Sequence, residues 1–285
     1  MPTLVDPELV EEAAQAARQG GEELARRFRG ALQIAFKGGI DLVTDADRAA
    51  EEKVVGFLQR RFPGHAILAE ERGASQPQGG AAQVRWIVDP LDGTTNFAHR
   101  VPHFCVSVAA EDAEGLAAGA LFDPLRGELF LAGRGRGASL NGEPLRTSST
   151  PDLGAALLST GFPYDVWTAP ELPVALLDAF VRRAQGLRRM GSAALDLAYV
   201  ACGRYDGFFE VKLKPWDIAA GALLVAEAGG RATDFEGGRL ALDQGDVLAS
   251  NGPLHEEMVE VIRGVRGDAS RGISNRSSLE CLRQL

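Results

Sequence analysis

Cysteine is nearly absent from this chain of 285 residues: Cys105, Cys202 and Cys281 are its only three. An odd number at wide spacing excludes a disulfide framework, lacks the short paired spacing of zinc sites, and fits a reducing compartment. Lysine is just as scarce, with only Lys37, Lys53, Lys212 and Lys214 among 30 basic residues, an imbalance read as a coding bias toward arginine. Those 30 face 39 acidic residues, and the net charge of −9 repels a phosphate backbone on average, which argues against broad nucleic-acid binding. Long apolar runs are missing too. The most apolar stretch, residues 218–226, is closed by Asp217 and Glu227 and falls far short of the ~20 residues of a spanning helix, so no membrane segment is expected. The first residues include Asp6, Glu8, Glu11 and Glu12 in place of the basic and apolar regions of a signal peptide, and a cytoplasmic protein is expected.

What is present is an ordinary globular composition, 45% hydrophobic and 24% charged, long enough for two packed domains. Asp6-Pro7 with an apolar stripe at Leu9, Ala13, Ala17, Leu24 and Phe28 predicts a capped amphipathic helix. Thr44 opens a second, with Ala50, Val54 and Leu58, which Phe62-Pro63-Gly64 stops. Short apolar runs at 66–69, 84–88, 104–110, 119–122 and 128–132 read as an antiparallel-rich sheet. The Gly, Arg, Ser and Thr of 133–149 suit an exposed hairpin or a connection, and we place a boundary near Thr147. Beyond it, strands at 156–159, 208–211 and 247–249 alternate with helices at 170–184, 192–202, 215–228 and 253–262, which predicts an α/β layer. The expected organisation is therefore an α+β half over 1–146, an α/β half over 147–266, and a flexible tail over 267–285 that is poor in apolar anchors.

The most informative segment is Trp86-Ile87-Val88-Asp89-Pro90-Leu91-Asp92-Gly93-Thr94-Thr95-Asn96-Phe97. A buried-type strand delivers Asp89 to its end, Pro90 stiffens the turn, and Gly93 lets the chain approach a ligand closely. Thr94 can open a short helix whose first N–H groups suit phosphate oxygens, while Asp89 and Asp92 can converge on a hard divalent cation. Glu70-Glu71 at a strand end, Asp217 at a helix start and Asp47 after Thr44 add acids at element termini. Oxygen ligands without a His or Cys partner select Mg²⁺, Mn²⁺ or Ca²⁺ over zinc.

These motifs resemble the inositol monophosphatase family of Mg²⁺-dependent, lithium-sensitive sugar phosphatases. The resemblance rests on Glu70-Glu71, on the run Asp89 through Phe97, and on Trp216-Asp217-Ile218-Ala219-Ala220-Gly221 continuing to Glu227-Ala228-Gly229-Gly230. Asp41-Leu42-Val43-Thr44 with Asp47, Gly191-Ser192-Ala193-Ala194 and Glu210 extend it over residues 6–263. It implies a layered α-β-α-β-α sandwich with the site between the halves, a homodimer, and two or three Mg²⁺ ions per site. Glu70, Asp89 and the Leu91 carbonyl would hold one ion, and Asp89, Asp92 and Asp217 a second. Gly93 and Thr94 would bind the phosphate, and Thr94, hydrogen-bonded to Asp47, would help Glu70 activate water. Asp92, Gly93, Thr94, Gly191, Ser192, Ala193, Glu210 and Asp217 would line the substrate, with Glu210 holding a hydroxyl. Animal inositol monophosphatases tend to have histidine where this chain has Lys214.

Plainer readings exist for several of these residues. Asp47 three positions after Thr44 could merely complete a capping box, and Asp217 could be a helix-terminal acid. Glu51 and Glu71 are expected to be solvated, His99 and His103 structural or exposed, and Cys105 and Cys202 small core residues. The expected activity is hydrolysis of inositol 1-phosphate or a similar small polyol phosphate. Fructose 1,6-bisphosphate, 3′-phosphoadenosine nucleotides and histidinol phosphate are alternative substrates, and a catalytically idle interaction protein is the alternative from another class. Acids separated by two residues rather than one do not match an aspartyl-phosphate phosphatase, and no Gly-Lys-Ser/Thr turn marks a P-loop kinase.

Overall fold

Asp6 accepts the Glu8 N–H at 3.0 Å, so α1 (Pro7–Phe28) starts at the cap that its sequence predicts. A hairpin of β1 (Ile34–Gly38) and β2 (Asp41–Thr44) then leads into α2 (Asp45–Arg61), opened by a Thr44–Asp47 capping box. There follow β3 (Ala66–Ala69), β4 (Gly73–Ser75), β5 (Arg85–Asp92), the short α3 (Thr94–Ala98), β6 (Cys105–Asp112), β7 (Gly115–Asp123), β8 (Glu128–Gly133), β9 (Gly137–Leu140) and β10 (Glu143–Pro144). The second half runs β11 (Leu157–Thr160), α4 (Glu171–Val181), β12 (Gly186–Arg188), α5 (Ala193–Ala201), β13 (Gly207–Glu210), α6 (Pro215–Glu227), β14 (Arg231–Thr233), β15 (Val247–Ser250) and α7 (His255–Ser270). This computed structural model describes residues 4–38, 40–77 and 82–270.

The strands form an eight-stranded sheet, ordered β10-β9-β8-β7-β6-β5-β3-β4, and a five-stranded sheet, ordered β12-β11-β13-β15-β14. In the large sheet only β3 and β5 run parallel. The small sheet is mixed: β11 is parallel to β12 and β13, while β15 is antiparallel to β13 and β14.

Side-chain alternation along the strands splits the interior into layers. Trp86, Val88, Val106, Val108 and Ala110 face α1 and α2, whereas Ile87, Cys105 and Ala109 face α5 and α6. In the small sheet Phe208, Val247 and Ala249 join that same middle layer, and Phe209 and Leu248 turn to α4 and α7. The result is the expected α-β-α-β-α sandwich, with α5 and α6 shared by both sheets. Sharing explains why every residue of α5 is buried and why its sequence shows no polar face. The two shared helices meet where Gly221 lies against Leu197; a Cβ on Gly221 would stand 2.5 Å from that of Leu197.

Two sequence expectations change. The α7 helix continues through the expected start of the tail at 267 to Ser270, and residues 271–285 of that tail lie outside the described residues. The β1–β2 hairpin, β4, β12 and β14 carry no clear apolar alternation and were not anticipated; Ile34 and Phe36 of the hairpin are exposed. Among the described residues no helix is long and apolar enough to cross a membrane.

His99 is exposed, and His103 is buried edge-on to Tyr199 with neither ring nitrogen hydrogen-bonded. Burial, reinforced by Arg126, lowers the His103 pKa to about 4. The unfolded chain therefore binds a proton near pH 6.5 that the folded one refuses, so this stability is complete above pH 6.5 and is lost as pH falls toward 4. His103→Phe, similar in shape, is expected to cost under about 1.5 kcal/mol at pH 8. Relative to wild type it should gain roughly 2 kcal/mol by pH 5. Urea midpoints at the two pH values check this, and a difference that does not change with pH contradicts it.

Candidate active site

The parallel pairing of β3 with β5 sets Ala69 opposite Val88, and the Glu70 N–H donates to the Val88 carbonyl at 3.2 Å. That register brings Glu70 and Asp89 to the same end of neighbouring strands. After Asp89 the pairing of β5 with β6 becomes irregular until Asp92. The Leu91 N–H folds back onto Asp89 Oδ1 at 2.9 Å, so Asp89 and Asp92 flank an irregularity within β5, opposite Ser107 and Cys105 of β6. Gly93 follows with φ of +98°, and a Cβ there would lie 3.0 Å from the His103 carbonyl. Both conformation and space demand glycine.

The other half supplies partners for these acids. Asp92 Oδ2 accepts the Ser192 hydroxyl at 2.5 Å and the Ala194 N–H at 2.8 Å, and so caps α5 from outside it. Asp217 sits in the first turn of α6, where its Oδ2 accepts the Lys214 N–H at 2.7 Å. The Ser107 hydroxyl of β6 holds the Trp216 carbonyl at 3.1 Å, which pins that helix start to the large sheet.

Burial raises the pKa of Asp89 well above the ordinary carboxylate range, and Glu70, Asp92 and Asp217 raise it further. Burial, then Asp92, does the same to Asp217, against the Lys214 N–H. Asp92 is pushed up to about 6 by burial, with the α5 donors holding it down. Among the described residues no lysine or arginine forms an ion pair with Asp89, Asp92 or Asp217, in an arginine-rich chain whose Asp112 and Glu128 are paired with Arg134 and Arg204. No three His, Cys, Asp or Glu side chains among the described residues stand in metal-ligating geometry. The donor set is nonetheless one that suits Mg²⁺: clustered carboxylate and carbonyl oxygens, with the repulsion among the three aspartates relieved by no lysine or arginine ion pair among the described residues.

Beside them Thr94 Oγ1 lies 3.0 Å from both Asp47 Oδ1 and the Leu91 carbonyl. Asp47 Oδ2 accepts the Thr44 N–H at 2.7 Å and its hydroxyl at 2.6 Å, so the capping role and the contact with Thr94 are both real. Burial raises Asp47 to about 6 against those hydrogen bonds. Glu210, at the end of β13, is buried and pushed up to about 8, with Arg189 offsetting part of the shift and Asp92 adding to it. Gly161 makes room for its carboxylate, since a Cβ there would fall 2.1 Å from Glu210 Oε2. The Asn96 amide donates to the His103 and Met190 carbonyls at 2.8 Å each, tying α3 to the segment that contains Gly191. Ser192 spends its hydroxyl on Asp92, and Ala193 begins α5 beside it.

Cys105 is buried with its thiol pKa driven up by burial and nearby acids, and Cys202 donates to the Tyr199 carbonyl at 3.6 Å; neither thiol is activated. Glu51 corrects the sequence reading. It is not a solvated acid but 1% exposed, and it accepts the Glu71 N–H. Three further residues went unnoticed in the sequence. Asp196 is buried in α5 with Oδ1 unpartnered, and burial, Glu210 and Asp92 raise its pKa. Arg189 lies over the Phe162 ring near Glu210, and Tyr164, 56% exposed as a whole residue, has its hydroxyl pKa raised by local loss of hydration and by Asp41, Glu70 and Asp217. Each depends on contacts between distant segments, and none belongs to a local motif.

The chain is similar to known proteins over most of its length. The model of the inositol monophosphatase family matches residues 6–266. Nus factor SuhB of Escherichia coli K12 is 42% identical over 259 residues, covering 90% of this chain and 96% of that protein. Nus factor SuhB of Pseudomonas aeruginosa is 44% identical over 255 residues, covering 88% and 94%. Among solved structures, the suhB protein of Bartonella henselae superposes with a TM-score of 0.85 at 38% identity, covering 90% of this chain and 98% of that one. The inositol monophosphatase of Anabaena (Nostoc) sp. PCC 7120 does so with a TM-score of 0.81 at 38% identity, covering 90% and 96%. With the family model matching residues 6–266, relatives above 40% identical over most of the chain and the same layered fold, the chain belongs to the inositol monophosphatase family.

Proposed function

We propose that this protein is a Mg²⁺-dependent phosphate monoester hydrolase acting on inositol 1-phosphate or a similar small polyol phosphate. The observation that carries the reading is the gathering of Asp89, Asp92 and Asp217 with Glu70 beside the Gly93–Thr94 turn, without a protein cation on the three aspartates. Glu70, Asp89 and the Leu91 carbonyl would hold one Mg²⁺, and Asp89, Asp92 and Asp217 a second. When bound, the ions supply Lewis-acid charge that makes water nucleophilic near neutral pH and stabilises a departing alkoxide.

The chain's own groups handle position and protons. A hydroxyl carries one proton, so Thr94 can donate to Asp47 or to the Leu91 carbonyl but not fully to both. Were that carbonyl turned to a cation, Thr94 would donate to Asp47, and its oxygen would be left to accept a hydrogen bond from a water that Glu70 would help orient. Backbone N–H groups of Gly93 and Thr94 receive the phosphate at a helix start. Gly191, Ser192 and Ala193 wall the substrate side, where Ser192 keeps Asp92 oriented, and Glu210 accepts from a polyol hydroxyl.

A second reading comes from the relatives named Nus factor: this chain also acts as such a factor. An Asp217→Asn protein that lacks turnover but performs that role separates the two.

Asp92→Asn and Asp217→Asn are expected to lower turnover at least ~10²-fold with circular dichroism unchanged, since each removes a charged ligand. Near-wild-type turnover in Asp217→Asn would overturn the assignment. Phosphate release should vanish in excess chelator, return with Mg²⁺, and be inhibited by Li⁺, which fits a small oxygen-lined site without the divalent charge; activity that survives the chelator contradicts the reading. Assayed above pH 8, where Glu210 is ionised, Glu210→Gln should lower kcat/KM for inositol 1-phosphate by roughly 10-fold, the scale of one charged hydrogen bond, and leave p-nitrophenyl phosphate nearly untouched. Equal losses on both esters would place Glu210 in support of the acids instead of the polyol.

A further inference from the structure

The inward face of α2 carries two buried carboxylates one turn apart. Asp47 is fully buried and reaches Thr94; Glu51 is 1% exposed and reaches a different loop. Its Oε2 accepts the Glu71 N–H at 2.8 Å, and its Oε1 lies 3.2 Å from Arg72 Nε. Both contacts fall on the two residues that directly follow Glu70, between β3 and β4. A cleft of about 300 Å³ lined by Arg48, Glu51, Glu71 and Arg72 adjoins the same turn, so a polar hold, not close packing alone, secures this side of it.

Burying a carboxylate at an interior helical position costs several kcal/mol unless its partners offset it. An apolar side chain of similar length would fill the position among Ala50, Val54 and Val55 without that cost. What an apolar residue cannot do is fix a backbone N–H one residue past Glu70. We propose that Glu51 is a positioning residue for the hydrolytic site: from α2 it clamps the turn after β3, so that the Glu70 carboxylate keeps the orientation a divalent cation requires. This rests on the metal-dependent reading above. On it, α2 braces both loops of the site, Asp47 the Thr94 loop and Glu51 the Glu70 turn. Partners behind a metal ligand commonly change metal affinity ~10- to 100-fold when removed.

The test uses the full chain with Glu51→Met, which fills the space without an acceptor, Glu51→Ala, and Glu51→Gln, which keeps an oxygen for the Glu71 N–H. Free Mn²⁺ is followed by electron paramagnetic resonance, backbone exchange of residues 70–73 by mass spectrometry on metal-free protein, and thermal unfolding by circular dichroism. Glu51→Met is expected to melt within a few degrees of wild type, to exchange faster at 70–73, and to bind Mn²⁺ ~10-fold more weakly. Its KM for inositol 1-phosphate at saturating Mg²⁺ should change less than about 3-fold, and Glu51→Gln should stay within about 3-fold of wild-type Mn²⁺ affinity. Wild-type Mn²⁺ affinity in both Glu51→Met and Glu51→Ala overturns the proposal, as does a Gln variant as weak as Ala. If wild type itself binds no Mn²⁺, the metal reading fails and the proposed role toward a cation fails with it. Exchange at 70–73 then still separates a clamp from none, and unchanged exchange in Glu51→Met rejects the clamp whatever the metal does.

Discussion

Repulsion among Glu70, Asp89, Asp92 and Asp217 is the constraint around which the rest of the site is arranged. Like charges a few ångströms apart repel by about 4 kcal/mol even at the moderate effective dielectric near a protein surface. Loss of hydration adds to that for Asp89 and Asp92, which are 2% and 8% exposed. The protein answers with N–H and O–H dipoles. Leu91 donates to Asp89, Ser192 and Ala194 to Asp92, and Lys214 to Asp217. Dipoles orient a carboxylate without neutralising it, and the lowered pKa values of arginine-paired Asp112 and Glu128 show what neutralisation looks like in the same chain.

The layers exist in the form needed to deliver those acids. The parallel β3–β5 pair places Glu70 and Asp89 at one strand end, and the Ser107–Trp216 bond fixes the start of α6 against β6. The shared middle layer lets Asp92, from the large sheet, cap a helix that packs on the small one. Close approach of α5 to α6 at Gly221 sets the distance between the two helix starts that carry Ser192 and Asp217. Packing thus decides electrostatic geometry: a bulkier residue at 221 would separate the groups that hold Asp92 from the turn that holds Asp217.

What could be read in the sequence was local. Asp6-Pro7, Thr44 with Asp47, and Pro90 through Thr94 each encode a cap or a turn within a few residues, and each forms where expected. Both faces of β5 and β6 were apolar because helices cover both, so strand type was legible although the neighbours were not. Glu51 was misread because its partner is twenty residues away, and an acid in an amphipathic helix ordinarily faces water. Arg189, Asp196 and Tyr164 were missed for the same reason, since each gains meaning only when β13, α5 and the loop after β11 converge. The β1–β2 hairpin and α7 past Gly264 were missed for a different one: weakly patterned segments take their form from tertiary context.

The same constraint ties stability to function. A carboxylate whose pKa is raised on folding keeps a proton that the unfolded chain would release. In cation-free protein, stability from Asp89, Asp92, Asp217 and Glu210 is therefore full at acidic pH and lost as pH rises through their folded values, about 6 for Asp92 and about 8 for Glu210. His103 acts in the opposite direction, giving stability above pH 6.5 that acid removes. A cation bound by the three aspartates would displace their protons and reverse the sign of their contribution, because the deprotonated state would become the one the fold favours. Dipole donors that were strong enough to neutralise the acids would abolish that coupling, and with it the affinity for a cation. The three aspartates are held by interactions that orient their charges without an ion pair to lysine or arginine among the described residues, which is the condition under which a divalent ion gains most from binding.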